Sequence, residues 1–344
     1  MEVIVPAAGL SSRFPGMKPK YLLYDYKGEL MLKNAINSYL KYDSVNITIG
    51  ILREHDEQFE AQTFISKELP KVNVIVLDER TRGPADTVYQ IIKKANIKND
   101  EFIIKDCDSF FDHEYLFGNF ICVSNISKHK VLKKLSSKSF VIANDQDIIT
   151  NIIEKNVVSD TFCVGAYKFE SVDLFINAFE SLKNIKDEIY VSHVIQHCLS
   201  NGHTFLKTEA TNYVDVGTAE DWFEYNDKPV IFCDIDGTII HAQSKHGKKS
   251  YSESPIILKN NVELLLKYQN DGAQIIFTTA RSEEAKDITQ KMLDSLGFKH
   301  YNLIIGLNNT RRILINDYND ANPFPRAEAI NIKRDSDNLK DFLK

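Results

Sequence analysis

Two apolar runs, each ending in a turn of small and charged residues, constrain this chain more than any other feature. Residues 3–7 run into Ala8-Gly9-Leu10-Ser11-Ser12-Arg13 and on to Pro19-Lys20, and residues 230–233 run into Asp234-Ile235-Asp236-Gly237-Thr238. A short apolar run followed by turn-forming residues is how a parallel sheet presents functional groups at the carboxyl end of a strand. Two such starts, more than 200 residues apart, predict two α/β domains with a site in each. Length agrees, because 344 residues exceed what one typical core serves.

The pattern between the starts supports this division. Further strands are predicted at 45–51, 72–77 and 102–105, and helices at 31–42, 54–69 and 87–95. Such alternation argues for a mostly parallel sheet covered on both faces. Strands at 141–144, 148–154 and 162–169 then precede helices at 171–182 and 190–199, and residues 213–218 close the region. The polar stretch 224–229 sets the boundary, giving domains 1–226 and 229–344. In the second domain, strands are predicted at 230–234, 274–279, 303–305 and 313–316, with helices at 260–270 and 283–296. This is a smaller, doubly wound pattern with little or no cap, since about 40 residues separate Asp236 from Thr278.

Composition narrows the partners. A net charge of -6 argues against broad binding to nucleic acid or a membrane surface, which needs a basic face. Phosphate ligands must then be held by a few local cations, such as Arg13, Lys18 and Lys20. The five cysteines are scattered through apolar runs, which suits buried reduced thiols in a cytoplasmic protein. There is no 18-residue apolar run. His193 and His197 lack an accompanying Glu-x-x-His and read as structural.

At the first start, small side chains let backbone N–H groups approach a phosphate, and Arg13 and Lys20 supply charge. The pattern Gly9-Leu10-Ser11-Ser12-Arg13 followed by Pro19-Lys20 resembles the nucleotidyltransferases that make activated sugars and alcohols, with Ser11 in place of a second glycine. The resemblance spans residues 1–226. It implies nucleotide and substrate contacts at Ala8, Gly9, Ser11, Ser12, Gly83 and Ala85, and catalytic cations at Arg13 and Lys20. It further implies a Mg²⁺ site at Asp108, with Asp106 second, and at Asp215 of the segment Asp215-Val216-Gly217-Thr218. Glu154-Lys155 resembles the family's pair beside the acceptor phosphate and hydroxyls.

At the second start, period-two spacing points Asp234 and Asp236 to one side of a strand end. This motif resembles the haloacid dehalogenase phosphatases. The resemblance implies Asp234 as nucleophile, Asp236 as general acid and base, and Thr279 as the hydroxyl that holds the phosphoryl group. Asp317, with Asp320 weaker, would complete a Mg²⁺ site with Asp234 and Asp236, and Arg312 competes with Arg311 and Lys286 as the cation. The polar segment 241–252 reads as a loop able to contact substrate.

The chain therefore resembles fusions from bacterial capsule-type polysaccharide pathways. The implied partners are a nucleoside triphosphate, with CTP favoured, and a sugar or polyol phosphate. The implied cofactor is Mg²⁺. The acceptor, the order of the two reactions and the oligomeric state, a homo-oligomer included, stay open.

Overall fold

The computed structural model describes residues 1–98, 101–129, 135–242, 244–245, 248–249, 255–317 and 327–343. Asp320 and half of segment 241–252 lie outside these residues. The chain divides into two compact units, Met1–Asn226 and Asp227–Lys344.

The first unit begins with β1 (Glu2–Pro6), α1 (Met31–Leu40), β2 (Asn46–Leu52), α2 (Arg53–Phe59), α3 (Ala61–Glu68), β3 (Val72–Leu77), α4 (Pro84–Ala95) and β4 (Phe102–Lys105). It continues with β5 (Ser109–His113), β6 (Asn119–Asn125), β7 (Ser139–Ala143), β8 (Ile149–Glu154) and β9 (Thr161–Phe169). It ends with α5 (Val172–Leu182), α6 (Val191–Ser200), β10 (Phe205–Asp215) and α7 (Ala219–Asn226). The strands form one mixed sheet in the order β3-β2-β1-β4-β9-β6-β10-β5, with β7 joined to both β8 and β9. The strands β3, β2, β1 and β4 run parallel to one another, whereas β9 is antiparallel to β4 and β6.

The continuous apolar runs of β1 and β4 follow from burial on both faces. Val3, Val5 and Ile103 enter one core, while Ile4, Phe102 and Ile104 enter the other. Chain order runs outward from β1 to β3 and then crosses to β4 on the opposite side of β1. That reversal opens a crevice at the carboxyl ends of β1 and β4, where open α/β sheets bind ligands.

The helix predicted over 54–69 is two helices. Glu60 breaks it with a left-handed φ of 49°, and Asp56 stabilises the break by accepting from the Gln62 N–H at 2.8 Å. Strands β5 and β6 and the first half of β10 were not apparent from periodicity. All five cysteines are buried and free. No helix among the described residues is long and apolar enough to cross a membrane.

The second unit contains β11 (Val230–Asp234), β12 (Ser244–Lys245), β13 (Lys248–Lys249), α8 (Lys259–Asn270), β14 (Gln274–Thr278), α9 (Lys286–Ser295) and β15 (Asn302–Ile304). Its main sheet is parallel, in the order β11-β14-β15. Residues 313–316, predicted as a strand, are not one. A β-branched run becomes a strand only by pairing, and among the described residues none pairs with it; Ile313 and Ile315 are 70% and 86% exposed. The buried side chain of Asn261 ties the unit together. It donates to the carbonyls of Thr238 (2.8 Å) and Ser336 (2.9 Å) and accepts from the Leu339 N–H (2.8 Å).

Candidate active site

The loop after β1 turns at Ser11, which occupies the left-handed region with φ 52°. A serine there meets the conformational demand that glycine meets at no steric cost. Its carbonyl accepts from Phe14 N–H at 2.8 Å, and its hydroxyl accepts from Lys20 N–H at 3.2 Å. Ala8 is buried, while Gly9, Ser12 and Arg13 are exposed. The turn thereby fixes the start of the Lys20 side chain, whose ammonium donates to Asp108 Oδ2 at 2.6 Å. Arg13 reaches the same oxygen at 3.4 Å.

Sheet register brings the two acidic candidates together. Asp215 ends β10 opposite Ser109 at the start of β5, and Val216 N–H donates to the Asp108 carbonyl at 3.0 Å. A Cβ at Gly217 would lie 3.1 Å from Asp108 Oδ2, 3.1 Å from Asp215 Oδ1 and 3.3 Å from Arg13 Nη1. Two carboxylates and a guanidinium thus converge where this residue has no side chain.

Electrostatics separates Asp108 from Asp106. Burial would raise the Asp108 carboxyl, but Lys20 and Arg13 outweigh burial and hold it below the usual carboxylate range. Lys20 is the mirror case: burial lowers it, and the Asp108 charge more than restores it, leaving it above its ordinary value. Asp106 instead faces Gly165 on β9, where a Cβ would come within 2.5 Å of its Oδ2. Burial, reinforced by the Asp108 charge, pushes Asp106 up to about 6.

Across the site, Glu154 ends β8 and accepts hydrogen bonds from Ser139 and from Ser192, the latter at 2.5 Å. Lys155 follows at φ 55°; its ammonium donates to the Tyr190 hydroxyl and lies 4.0 Å from that ring's centre. Gly83 (φ 114°) packs so tightly that a Cβ would meet the Ile189 carbonyl at 2.7 Å. Ala85, expected as a contact residue, is fully buried, and its N–H is taken by the Ile189 carbonyl at 3.2 Å.

The sequence reading missed Lys138, which forms an ion pair with Asp215 and donates to the Tyr213 hydroxyl at 3.1 Å. Burial is outweighed there by Tyr213 and Asp215, so the ammonium is held above its ordinary value. A lone lysine before a strand carries no motif; only the sheet brings it to Asp215.

In the second unit, Arg312 donates to Asp234 Oδ1 at 3.0 Å. Burial, with the Asp236 charge adding to it, raises the Asp234 carboxyl even against Arg312. Arg281, whose partner role was not foreseen, grips Asp236 with two bonds of 2.8 Å and donates to Thr289 at 3.0 Å. Thr279 is 1% exposed, and its hydroxyl is engaged by Asp236 (3.5 Å) and the Arg281 N–H (3.2 Å). The expected phosphoryl-holding hydroxyl is thus engaged within the unit, by the Asp236 carboxylate and the Arg281 backbone.

Among the described residues, no three His, Cys, Asp or Glu side chains gather into a group able to hold a metal. Asp317 accordingly does not join Asp234 and Asp236 in such a group. In the first unit, the two carboxylates at Gly217 suffice on chemical grounds, since Mg²⁺ is commonly held by one or two carboxylates plus substrate phosphates.

The sequence matches no protein-family model and no curated protein. In three dimensions it is similar to a nucleoside-diphosphate-sugar pyrophosphorylase from Vibrio cholerae, with a TM-score of 0.54 and 18% identity over 64% of this chain and 98% of that one. It is also similar to the inositol-1-phosphate CTP transferase from T. maritima, with a TM-score of 0.51 and 20% identity over 64% and 90%. At these identities the likeness is one of fold. That fold, a mixed α/β sheet, is one that sugar-phosphate nucleotidyltransferases use.

Proposed function

We propose that residues 1–226 form a nucleotidyltransferase that joins a nucleoside triphosphate to a sugar or polyol phosphate and releases pyrophosphate. The observation that carries this reading is the convergence of Arg13, Lys20, Asp108 and Asp215 around Gly217 at the sheet's crossover point. Both reactants are anions, so the chemistry is mainly positioning and charge neutralisation. An acceptor phosphate oxygen bonds to the α-phosphorus, the bond to the α–β bridging oxygen breaks, and its electron pair leaves with pyrophosphate. Arg13 and Lys20 hold the triphosphate, the backbone of Ala8, Gly9, Ser11 and Ser12 approaches it, and Lys155 holds the acceptor phosphate. Asp108 and Asp215 would bind Mg²⁺, which supplies charge neutralisation on the triphosphate. The fixed carboxylate of Glu154 and the turn at Gly83 shape the acceptor side.

CTP is the favoured donor, and the likeness to a protein named as a CTP transferase supports that choice. The test is a pyrophosphate-release screen that crosses four nucleoside triphosphates with sugar and polyol phosphates. Turnover with CTP and one such acceptor is expected; silence in every combination with Mg²⁺ rejects the proposal.

We further propose that residues 229–344 hydrolyse a phosphate monoester. An Asp234 oxygen would bond to phosphorus as the ester P–O bond breaks and the alcohol leaves with a proton from Asp236; water, giving a proton to Asp236, would then cleave the aspartyl phosphate and release phosphate. Arg312 steadies the nucleophile and the transferred group. The two activities together suit precursor synthesis for a surface polysaccharide. One observation favours an alternative, a binding or oligomerising unit without turnover: Asp236 and Thr279 are both engaged internally by Arg281. Asp234→Asn decides between them. It abolishes phosphate release under the first reading and changes nothing under the second.

A further inference from the structure

We infer that Lys138 is a further catalytic residue of the first unit, a cation that exchanges the Asp215 carboxylate for the acceptor phosphate when a divalent ion binds. The inference rests on the transferase reading above and extends it to a residue to which no motif points.

Three observations carry it. Lys138 adjoins the acceptor side through its backbone, since its carbonyl accepts from Lys155 N–H at 3.0 Å. The next residue, Ser139, lies opposite Glu154 in the β7–β8 ladder and donates to its carboxylate. The Lys138 side chain reaches the other way, to Asp215, and both side chains keep some exposure, 19% and 27%. Lys138 therefore spans the gap between the proposed metal carboxylates and the proposed acceptor pair.

Charge balance then dictates movement. Without ligands, Asp108 is neutralised by Lys20 and Arg13, and Asp215 by Lys138. A divalent cation on Asp215 would repel an ammonium left in contact with it, because like charges at short range in a partly dry site are costly. The ammonium needs another anion, and the acceptor phosphate beside Lys155 is one backbone hydrogen bond away along the same hairpin. A lysine paired with a phosphate is protonated at neutral pH, so Lys138 acts as a fixed positive charge and neither gives nor takes a proton. Its contribution is to reduce repulsion as the acceptor oxygen approaches the α-phosphorus and pyrophosphate leaves.

The test uses the full-length protein with Lys138→Met and Lys138→Arg, both checked for folding by Trp222 fluorescence. In the first arm, Mn²⁺ binding to protein without nucleotide is measured by electron paramagnetic resonance. Lys138→Met is expected to bind Mn²⁺ about tenfold more tightly than wild type, as a charge-assisted contact that competes for Asp215 is gone. Lys138→Arg is expected to stay near wild type. In the second arm, steady-state pyrophosphate release is measured with CTP and the acceptor that turns over best. Lys138→Met is expected to raise the acceptor KM by about tenfold or more and lower kcat, with the CTP KM within about threefold. Lys138→Arg should recover part of both. An unchanged acceptor KM, or equal rises in both KM values, overturns the inference. If wild type releases no pyrophosphate with any pair, the transferase reading falls by itself. The Mn²⁺ arm then still judges Lys138, and equal Mn²⁺ affinities in wild type and Lys138→Met overturn it.

Discussion

Replacing Lys20 by methionine removes the nearest cation from Asp108 and separates the structural from the catalytic role of the pair. The ammonium sits 2.6 Å from Asp108 Oδ2, and the two side chains are 19% and 14% exposed. At an effective dielectric of about 20, Coulomb's law puts that attraction at about 6 kcal/mol. Lost hydration of both ions offsets much of it, and breaking a buried pair from one side typically costs about 3–5 kcal/mol. Arg13 remains at 3.4 Å from the stranded carboxylate but is 56% exposed on its own side, so we expect Lys20→Met to cost about 2–3 kcal/mol, below the fully buried range. Asp108→Asn should cost a similar amount, and the double variant no more than either single one. The resulting coupling is about 2 kcal/mol in a double-mutant cycle.

The assay is urea unfolding at pH 7 without divalent ions, followed by Trp222. It is the only tryptophan and is buried in the first unit, so its signal reports that unit. The pH choice follows from the shifts. Asp108 titrates lower folded than unfolded, so its contribution is complete above about pH 4 and fades on acidification. Lys20 titrates higher folded than unfolded, so its contribution is complete below about pH 10 and fades only as pH rises further. Pyrophosphate release should fall about 100-fold or more in all three variants, the usual scale for a lost transition-state charge contact. A coupling below about 0.5 kcal/mol would refute the ion pair. Recovered turnover in the double variant would refute the catalytic assignment while leaving the pair intact.

Two further predictions address neighbouring residues. Gly217→Ala puts a methyl 3.1 Å from both Asp108 and Asp215; pyrophosphate release is expected to drop about 100-fold for a stability cost of about 1 kcal/mol, and unimpaired turnover would show that the gap between the carboxylates is not used. Lys105 is fully buried, donates to the Asp106 and Ser109 carbonyls, and is pushed by burial down to about 8. The unfolded chain then holds more protons than the folded one above pH 8, so stability should rise from about pH 8 to 10.5 by roughly 3 kcal/mol. Lys105→Met should remove that rise in urea unfolding, and identical slopes in the two proteins would contradict it.

Much of the first site was legible because its residues act locally. The small residues after β1 mark a loop that lets backbone approach a phosphate, and the stiff Pro19 holds Lys20, while the path of the loop at Ser11, which stands in place of a second glycine, came only from the structure. Asp108 could be preferred to Asp106 only on resemblance, and the structure supplies the physical difference: Asp106 faces Gly165 on β9, Asp108 faces Lys20 and Arg13. Glu60 escaped because helical periodicity continues through it, and a left-handed glutamate has no sequence signature. Residues 313–316 misled in the opposite direction, since β-branched content without a partner strand does not make a sheet. In the second unit the Asp-x-Asp spacing was plain, but the engagement of Asp236 and Thr279 by Arg281 depended on how β14 continues beyond its last residue.

The two strand-end starts, the small residues after β1 and the acidic pair after β11 are properties of the sequence itself, because periodicity and turn chemistry act over a few residues. Tertiary structure alone decided which charges meet. Asp108 and Asp215 are 107 positions apart, and Lys138 reaches Asp215 across 77. These contacts follow from the pairing of β5 with β10 and from the pairing of β7 with β9, which joins it to the same sheet, and strand register is a global choice made by two cores at once.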